Sequence, residues 1–407
     1  MENKIKILFI GGLYPKNLEK EILKKCHGSL DMAANNCQWR FINGFILNKN
    51  ISIFILNQMF IGSFPKRYDD WYIKEQKIDF PVGIKGINLG FINIAYIKHL
   101  LSPFNEKKYI KKWLIENKGN KKCVFIYSMN IRGLRISKYI KKISPETTIY
   151  IYIGDLIEHT MKEKKNKFFV KLWKKINSFL MEKGKKNIDG YIFVAKGQAK
   201  KMKISNDKYI LIESLANSKN KKFIPLNNII EKKIIYAGAL CKEYGLENLI
   251  ENFKKIEDKK ARLIICGDGE LKEKIKKIIK EDERIKYLGL LNERELENLF
   301  QNAWCFINPT ENNQNFTNYS FPIKNIDYLL AGRPVICQKL EAIPDEYDKY
   351  FRYFNTKESL KECIDSVLKL TITEINEIGN KNFCFIMKNK TEQIQTKKII
   401  NFFNKNN

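Results

Sequence analysis

Apolar and polar positions along the chain fall into two alternating patterns. Short runs rich in Ile, Val, Phe and Tyr end in turn residues, and each gives way to a charged stretch whose apolar residues recur every three or four positions. The runs predict strands near residues 5–10, 51–56, 122–128, 147–153, 189–194 and 208–213. A second series is expected near 233–238, 261–266, 285–288, 303–308 and 334–337, with ELKEKIKKIIKED and ERELENLFQNA as helices between strands. Continuous apolar strands alternating with helices of one apolar face are what parallel sheets covered on both sides require. The expected fold is α/β, with two Rossmann-like domains in tandem.

Length supports the division, because 407 residues exceed what one core usually covers. The stretch from Ala216 to Lys232 holds Asn, Ser, Lys and Pro with weak periodicity and reads as a linker. It separates a domain of residues 1–215 from one of 233–380, and residues 381–407 are expected to form a helix packing back on the first domain. No apolar run approaches the ~18 residues that would span a bilayer, and MENKIKILFIGGL is read as neither signal peptide nor anchor. Nine cysteines without a CxxC pair and three histidines, His27, His99 and His159, support neither a disulfide framework nor a zinc site. A cytoplasmic location follows as an expectation.

The formal charge of +29 suits attraction to anionic lipid, nucleic acid or phosphate-bearing substrates. A general bias toward Lys, Asn and Ile, as an AT-rich genome produces, accounts for it equally well. No helix-turn-helix, RNA-binding or zinc signature accompanies the charge, so nucleic acid is not an expected partner.

Two glycine-bearing turns end expected strands. Gly11-Gly12 follows the first, where backbone N–H groups can approach a ligand closely or the chain can simply turn. Gly267-Asp268-Gly269-Glu270 lies between a strand and a helix, a place for a backbone nest that favours negative charge. Both lack the third glycine of a dinucleotide fingerprint, which disfavours NAD. Further on, YSFPIK precedes a helix whose N-terminus, with Lys324 beside it, would suit a diphosphate leaving group. Asp327 on the first turns of that helix can accept hydrogen bonds from ribose hydroxyls or can simply favour the helix dipole.

From Ile234 to Ile336 the chain resembles the donor lobe of family-4 glycosyltransferases, retaining enzymes of GT-B architecture, and bacterial surface-polysaccharide members in particular. The resembling segments are IIYAGALCKEYGLENLIENF, ICGDGE, IKYLGLL, NAWCFINPT, NYSFPIKNIDYL and AGRPVI, in that order. The resemblance implies parallel sheets facing across a cleft, with the nucleotide base gripped around Leu290 and Leu291 and the ribose at Asp327. It also implies a diphosphate against Tyr319, Ser320 and Lys324, near the loops of Gly238, Gly267 and Gly269. Asp327 stands where the family has the second glutamate of its E-x7-E motif, while Tyr319 occupies the place of the first. Ala239 stands where an arginine is common, and Lys242 is displaced from the usual lysine, so Lys242 and Lys324 are expected to substitute.

The first domain is less similar to the family. TTIYIYIGDLIEHTM, followed by IDGYIFVAKGQAKKM, puts Asp155 at the mouth of a strand, where it either handles the acceptor hydroxyl or caps a helix. His159 reads as an exposed helix residue. Between these segments, Phe168, Phe169, Leu172, Trp173, Ile176, Phe179 and Leu180 share one face of a basic helix, residues 162–186. That face either packs on the sheet or lies in a membrane interface. No D-x-D pair is present, so a metal-independent transfer from a UDP-sugar or a GDP-sugar is expected, with no cofactor. The acceptor expected is a saccharide or a polyprenyl-diphosphate-linked glycan. A non-catalytic sugar-nucleotide-binding scaffold and a nucleotide-sugar epimerase are the rival readings.

Overall fold

The computed structural model describes residues 4–28, 30–79, 84–154, 182–227, 230–312 and 316–405. The chain divides into two compact units, residues 1–215 with 392–407, and 216–391.

In the first unit the strands are β1 (Ile5–Gly11), β2 (Ile51–Asn57), β3 (Tyr72–Ile73), β4 (Gln76–Asp79), β5 (Lys85–Asn88), β6 (Phe91–Ile92), β7 (Lys121–Tyr127), β8 (Thr148–Ile153), β9 (Gly190–Phe193) and β10 (Tyr209–Leu211). The sheet order is β10-β9-β8-β7-β1-β2-β5-β4, parallel except for the β4–β5 edge pair, with β3 and β6 forming a separate antiparallel ribbon. The central strands are apolar on both faces because helices cover both. The described helices here are α1 (Glu19–Lys25), α2 (Met32–Ile46), α3 (Ile97–Leu100), α4 (Glu106–Glu116), α5 (Ile131–Ile143) and α6 (Lys196–Met202). Phe9, Phe41, Phe45 and Phe125 are fully buried, and the Phe41 and Phe45 rings of α2 lie 5.0 Å and 5.4 Å from Phe125. Arg132 on α5 joins the ends of β1 and β2 to α4: its guanidinium pairs with Glu106 at 2.6 Å and donates to the carbonyls of Gly11 and Leu56.

The second unit holds β11 (Lys232–Ala237), β12 (Ala261–Cys266), β13 (Ile285–Gly289), β14 (Cys305–Asn308), β15 (Val335–Gln338) and β16 (Phe351–Phe354). All its pairs are parallel in the order β13-β12-β11-β14-β15-β16, the doubly wound Rossmann arrangement. Its helices are α7 (Leu246–Lys254), α8 (Lys272–Ile278), α9 (Glu293–Gln301), α10 (Lys324–Leu330), α11 (Ser359–Leu368) and α12 (Ile372–Asn389). Strand order reverses between β11 and β14, so their carboxyl ends diverge and open a crevice at that edge. Arg333, in the AGRPVI segment, is fully buried and is satisfied by the carbonyls of Ala303, Gly332, Ile224 and Gln301.

The segment read as a linker lies against the second unit. Leu226 exchanges hydrogen bonds of 2.7 Å and 3.1 Å with the amide of Asn376, and Ile224 accepts from Arg333. At the other end, α12 belongs to the second unit, and the chain re-enters the first at α13 (Glu392–Lys405). There Phe403 packs 4.2 Å from the Tyr150 ring, and Gly44 lets the Glu392 carbonyl approach so closely that a Cβ would sit 2.3 Å from it. Strands β3 to β6 and β16 were not among the expected ones: β5 reads KGIN, short and polar, and β16 reads FRYF, aromatic but only 4 residues long. Among the described residues no helix is long and apolar enough to cross a membrane.

Candidate functional site

The crevice of the second unit is built from the loops after β11, β12 and β14 and from the start of α10. Gly238 to Leu240 lies directly on Gly267 to Gly269. The Gly238 N–H donates to the Cys266 carbonyl at 3.0 Å, and the Leu240 N–H to Asp268 at 2.9 Å. A Cβ on Gly267 would sit 1.8 Å from the Gly238 carbonyl, and one on Gly269 2.5 Å from that of Leu240. Both glycines also take positive φ, +133° and +159°. They are therefore required by the contact of two loops, which stacks two turns of backbone into one shelf at the sheet edge.

Two buried tyrosines fasten α10 to this shelf. The Tyr328 hydroxyl donates to the Ala237 carbonyl at 3.0 Å and accepts from the Ala237 N–H at 2.8 Å. The Tyr236 hydroxyl donates to the Ala239 carbonyl at 2.7 Å and accepts from Lys324 Nζ at 3.3 Å. Lys324, the first residue of α10, also lies over the Tyr236 ring at 4.3 Å and the Tyr244 ring at 5.1 Å. Among the described residues no carboxylate is within 4.0 Å of it. Lys324 is half-buried and still meets solvent, yet the protein packed around it disfavours the charged form. Burial lowers its ammonium to about 7, opposed only by Cys241. A cation held among rings without an acid is set to gain from an incoming phosphate.

Asp327 lies one turn further along α10, so it shares a face with Lys324 and is half-buried. Tyr319 and Ser320 are half-buried in the segment leading into that helix. Gly289 ends β13 with φ +71°, and beyond it Leu290 is 75% exposed while Leu291 is half-buried, which leaves an apolar surface available to a planar base.

Lys242 begins the short turn before α7, and its N–H donates to the Glu270 carboxylate at 3.1 Å. It lines a cavity of about 400 Å³ together with Glu243, Glu247, Asn248, Glu270, Glu311 and Lys357. Glu311, at the end of β14, is 9% exposed and pairs with Lys357 at 3.4 Å. Of these side chains, sequence reading expected only Lys242 to meet the donor. Glu243, Glu247 and Asn248 follow it directly on the same turn and the start of α7, whereas Glu270, Glu311 and Lys357 come from loops far apart in the chain, which the parallel sheet collects at one edge.

Gly12 lies in the first unit, at the carboxyl end of β1. Its N–H is committed to Gln38 Oε1 at 2.8 Å, and the space of a Cβ is filled by the Phe60 ring, 2.0 Å away. Local packing accounts for this glycine, and its amide is not presented to a ligand. Asp155, His159 and most of the basic helix expected at 162–186 lie outside the described residues.

Residues 217–382 match the family model described as glycosyl transferases group 1. Among solved structures the chain is similar to the lipopolysaccharide outer core galactosyltransferase WaaB in its apo form, at 16% identity and TM-score 0.60, covering 98% of this chain and 99% of that one. It is similar also to the sucrose-phosphate synthase from Thermosynechococcus elongatus, at 11% identity and TM-score 0.61, covering 98% of each chain. The third comparison is WaaG, a glycosyltransferase involved in lipopolysaccharide biosynthesis, at 10% identity and TM-score 0.59, covering 97% and 98%. No curated protein sequence matches. The fold is GT-B, and with its group 1 domain the chain is a glycosyltransferase.

Proposed function

We propose that this glycosyltransferase takes its sugar from a nucleotide diphosphate donor, a UDP-sugar before a GDP-sugar. The acceptor is a saccharide or a polyprenyl-diphosphate-linked glycan in the assembly of a cell-surface polysaccharide. The observation that carries the donor reading is Lys324, a cation without a carboxylate partner among the described residues, sharing a helix face with Asp327 beside a shelf of stacked glycine turns. Protonated Lys324 would neutralise charge developing on the leaving diphosphate, with Lys242 as the second cation. Asp327 would accept from the ribose hydroxyls, and Leu290 and Leu291 would meet the base. Asp155 is proposed to orient or deprotonate the acceptor hydroxyl. The bond from the anomeric carbon to the diphosphate breaks, the bond to the acceptor oxygen forms with retention, and the acceptor's proton leaves to base or solvent. Neither metal nor cofactor is part of this scheme. The polysaccharide context is supported by the likeness to WaaB, a lipopolysaccharide outer core galactosyltransferase, and to WaaG, a glycosyltransferase involved in lipopolysaccharide biosynthesis. The site of action follows as the cytoplasmic face of the membrane.

One observation favours a second reading, a non-catalytic sugar-nucleotide-binding scaffold: Tyr319 occupies the place of the family's first glutamate. Calorimetry with UDP, GDP and a panel of their sugar conjugates, with chelator present, tests both. Binding of one nucleotide class, followed by turnover of its sugar conjugate, supports the transferase. Binding without turnover supports the scaffold, and absence of all binding defeats the donor site.

A further inference from the structure

The first unit carries an exposed apolar surface that the donor site does not use. Trp71, Tyr96, Leu100 and Leu101 are each more than half exposed, with Phe104 at 47% and Tyr72 at 37%. They lie on the β3–β6 ribbon, on α3 and just beyond it, that is, on the loops that leave the carboxyl ends of β2 and β5. The rings are associated with one another: Trp71 and Tyr72 are 5.8 Å apart, and Tyr72 and Phe104 5.9 Å.

Polar side chains, buried at Asn93 and half-buried at Lys98 and Arg135, hold the backbone beneath these side chains. Arg135 donates to the carbonyls of Leu100 and Leu101, Lys98 to that of Ile61 at 2.7 Å, and the Asn93 amide to those of Gly62 and Asp70. Tyr96 is held at φ +65°, a conformation that costs a non-glycine residue energy, and its ring is nevertheless left outside. An apolar surface whose backbone is tied down by a buried amide and two half-buried cations is not a loop that failed to collapse.

Charge decides what covers it. The acids around the surface are engaged within the unit: Asp69 with His27, Asp70 with Lys25, Glu75 with Tyr109 and Asn105, and Glu106 with Arg132. The exposed Lys66, Arg67, Lys74, Lys107 and Lys108 have no carboxylate within 4.0 Å among the described residues. What remains is an aromatic and aliphatic surface with a net cationic rim. A second copy would bring the same rim against itself, from a chain of charge +29. An anionic bilayer complements both parts, since aromatic rings settle at the headgroup level and lysines meet the phosphates.

We propose that this surface, from Trp71 to Phe104 with its lysine rim, docks the first unit on an anionic lipid bilayer. None of its residues belongs to the segment 162–186 whose apolar face is expected either to pack on the sheet or to lie in a membrane interface. Docking here brings the bilayer to the carboxyl edge of the first sheet, the edge at which α/β sheets bind their ligands. That consequence rests on the lipid-linked acceptor proposed above; the docking itself does not.

Vesicle flotation of the full chain tests the surface, using phosphatidylcholine vesicles with and without phosphatidylglycerol. Wild type is expected to float with the anionic vesicles, and the combined Trp71→Ser, Leu100→Ser and Leu101→Ser variant to lose partitioning by roughly tenfold or more. Lys66→Glu, Lys74→Glu and Lys108→Glu together should remove the preference for phosphatidylglycerol. An unchanged melting midpoint and unchanged nucleotide binding in both variants show that loss of flotation is not unfolding. The proposal is overturned if the serine variant floats like wild type, if Phe168→Ser, Phe169→Ser and Trp173→Ser alone abolish flotation, or if wild type ignores vesicles. Sedimentation showing a dimer that the serine variant dissolves would assign the surface to a second copy instead. Failure of nucleotide binding in wild type would remove the donor reading and leave the flotation result standing.

Discussion

Lys324 ties the chemistry of the donor crevice to pH. With its ammonium lowered to about 7 by burial, the free protein holds it largely neutral above neutrality. A nucleotide-sugar, whose phosphates keep fixed charge in this range, favours the ammonium, so binding above pH 7 must draw in a proton. Donor affinity is expected to fall as pH rises above about 7, by up to about tenfold per unit. Calorimetry in buffers of different ionisation enthalpy should register that proton, and Lys324→Met should bind weakly with a flat profile. The sign for stability is opposite: between about 7 and the ordinary lysine value the unfolded chain binds more protons, so this lysine's contribution grows more favourable as pH rises through that window. Asp327→Ala tests the ribose contact, with a loss of about ten- to a hundredfold in nucleotide affinity expected and an unchanged melting midpoint. Unchanged affinity would remove Asp327 from the site. The neighbourhood of Lys324 and Asp327 was legible, because they stand three residues apart in one helical segment. Glu270, Glu311 and Lys357 were not, because nothing local in the chain announces that their loops end at one sheet edge.

At the level of elements, the strands that read clearly are those buried on both faces, such as β1, β7 and β8, since their apolar runs leave little room for another assignment. The short strands β4, β5 and β16 owe their place to neighbours already in the sheet, and their own sequences carry little of that information. The glycine turns were recognised as sites of close backbone approach, but the approaching partner differs from a ligand. At Gly267 it is the Gly238 carbonyl, and at Gly12 it is the Phe60 ring, neither of which periodicity can reveal. Gly267→Ala should therefore disturb the loop pair even without a donor. With the Cβ 1.8 Å from a carbonyl and φ at +133°, a loss of more than about 2 kcal/mol is expected in denaturant unfolding of the second unit. Stability equal to wild type would show that the two loops separate freely. The joint between α10 and β11 is a sharper case. Tyr328→Phe removes one hydroxyl that serves both the N–H and the carbonyl of Ala237, depriving two half-buried backbone groups of this partner, at a cost of about 1–3 kcal/mol.

Across the whole molecule, the chain builds most of one unit, then the other, and returns to finish the first. The two crossings run side by side, with the Ala216 N–H donating to the Lys390 carbonyl at 2.8 Å and Ala216 bridging Thr391. What the return supplies is core: Ile399, Phe402 and Phe403 are buried, and the amide of Gln395 donates to the Ser214 carbonyl at 3.1 Å. The α13 helix also covers α2, where Asn48 reaches the hydroxyl of Thr396 at 2.9 Å. Deleting residues 392–407 takes two phenylalanines and an isoleucine from the first unit, each truncation of this kind costing about 1–5 kcal/mol, against a usual whole-domain margin of about 5–15 kcal/mol. The second unit keeps its own continuous core from Leu226 to Ile375 and loses no contact within it. Calorimetric melting of the shortened chain should therefore split, with an early transition for the first unit and a later one near the wild-type position for the second. Nucleotide added in excess should raise the later transition alone, because Lys324, Asp327 and the stacked Gly238 and Gly267 turns belong to that unit. One cooperative transition at the wild-type midpoint would show that the final helix contributes little to the first unit. A ligand-dependent rise of the early transition would move donor binding out of the second unit altogether.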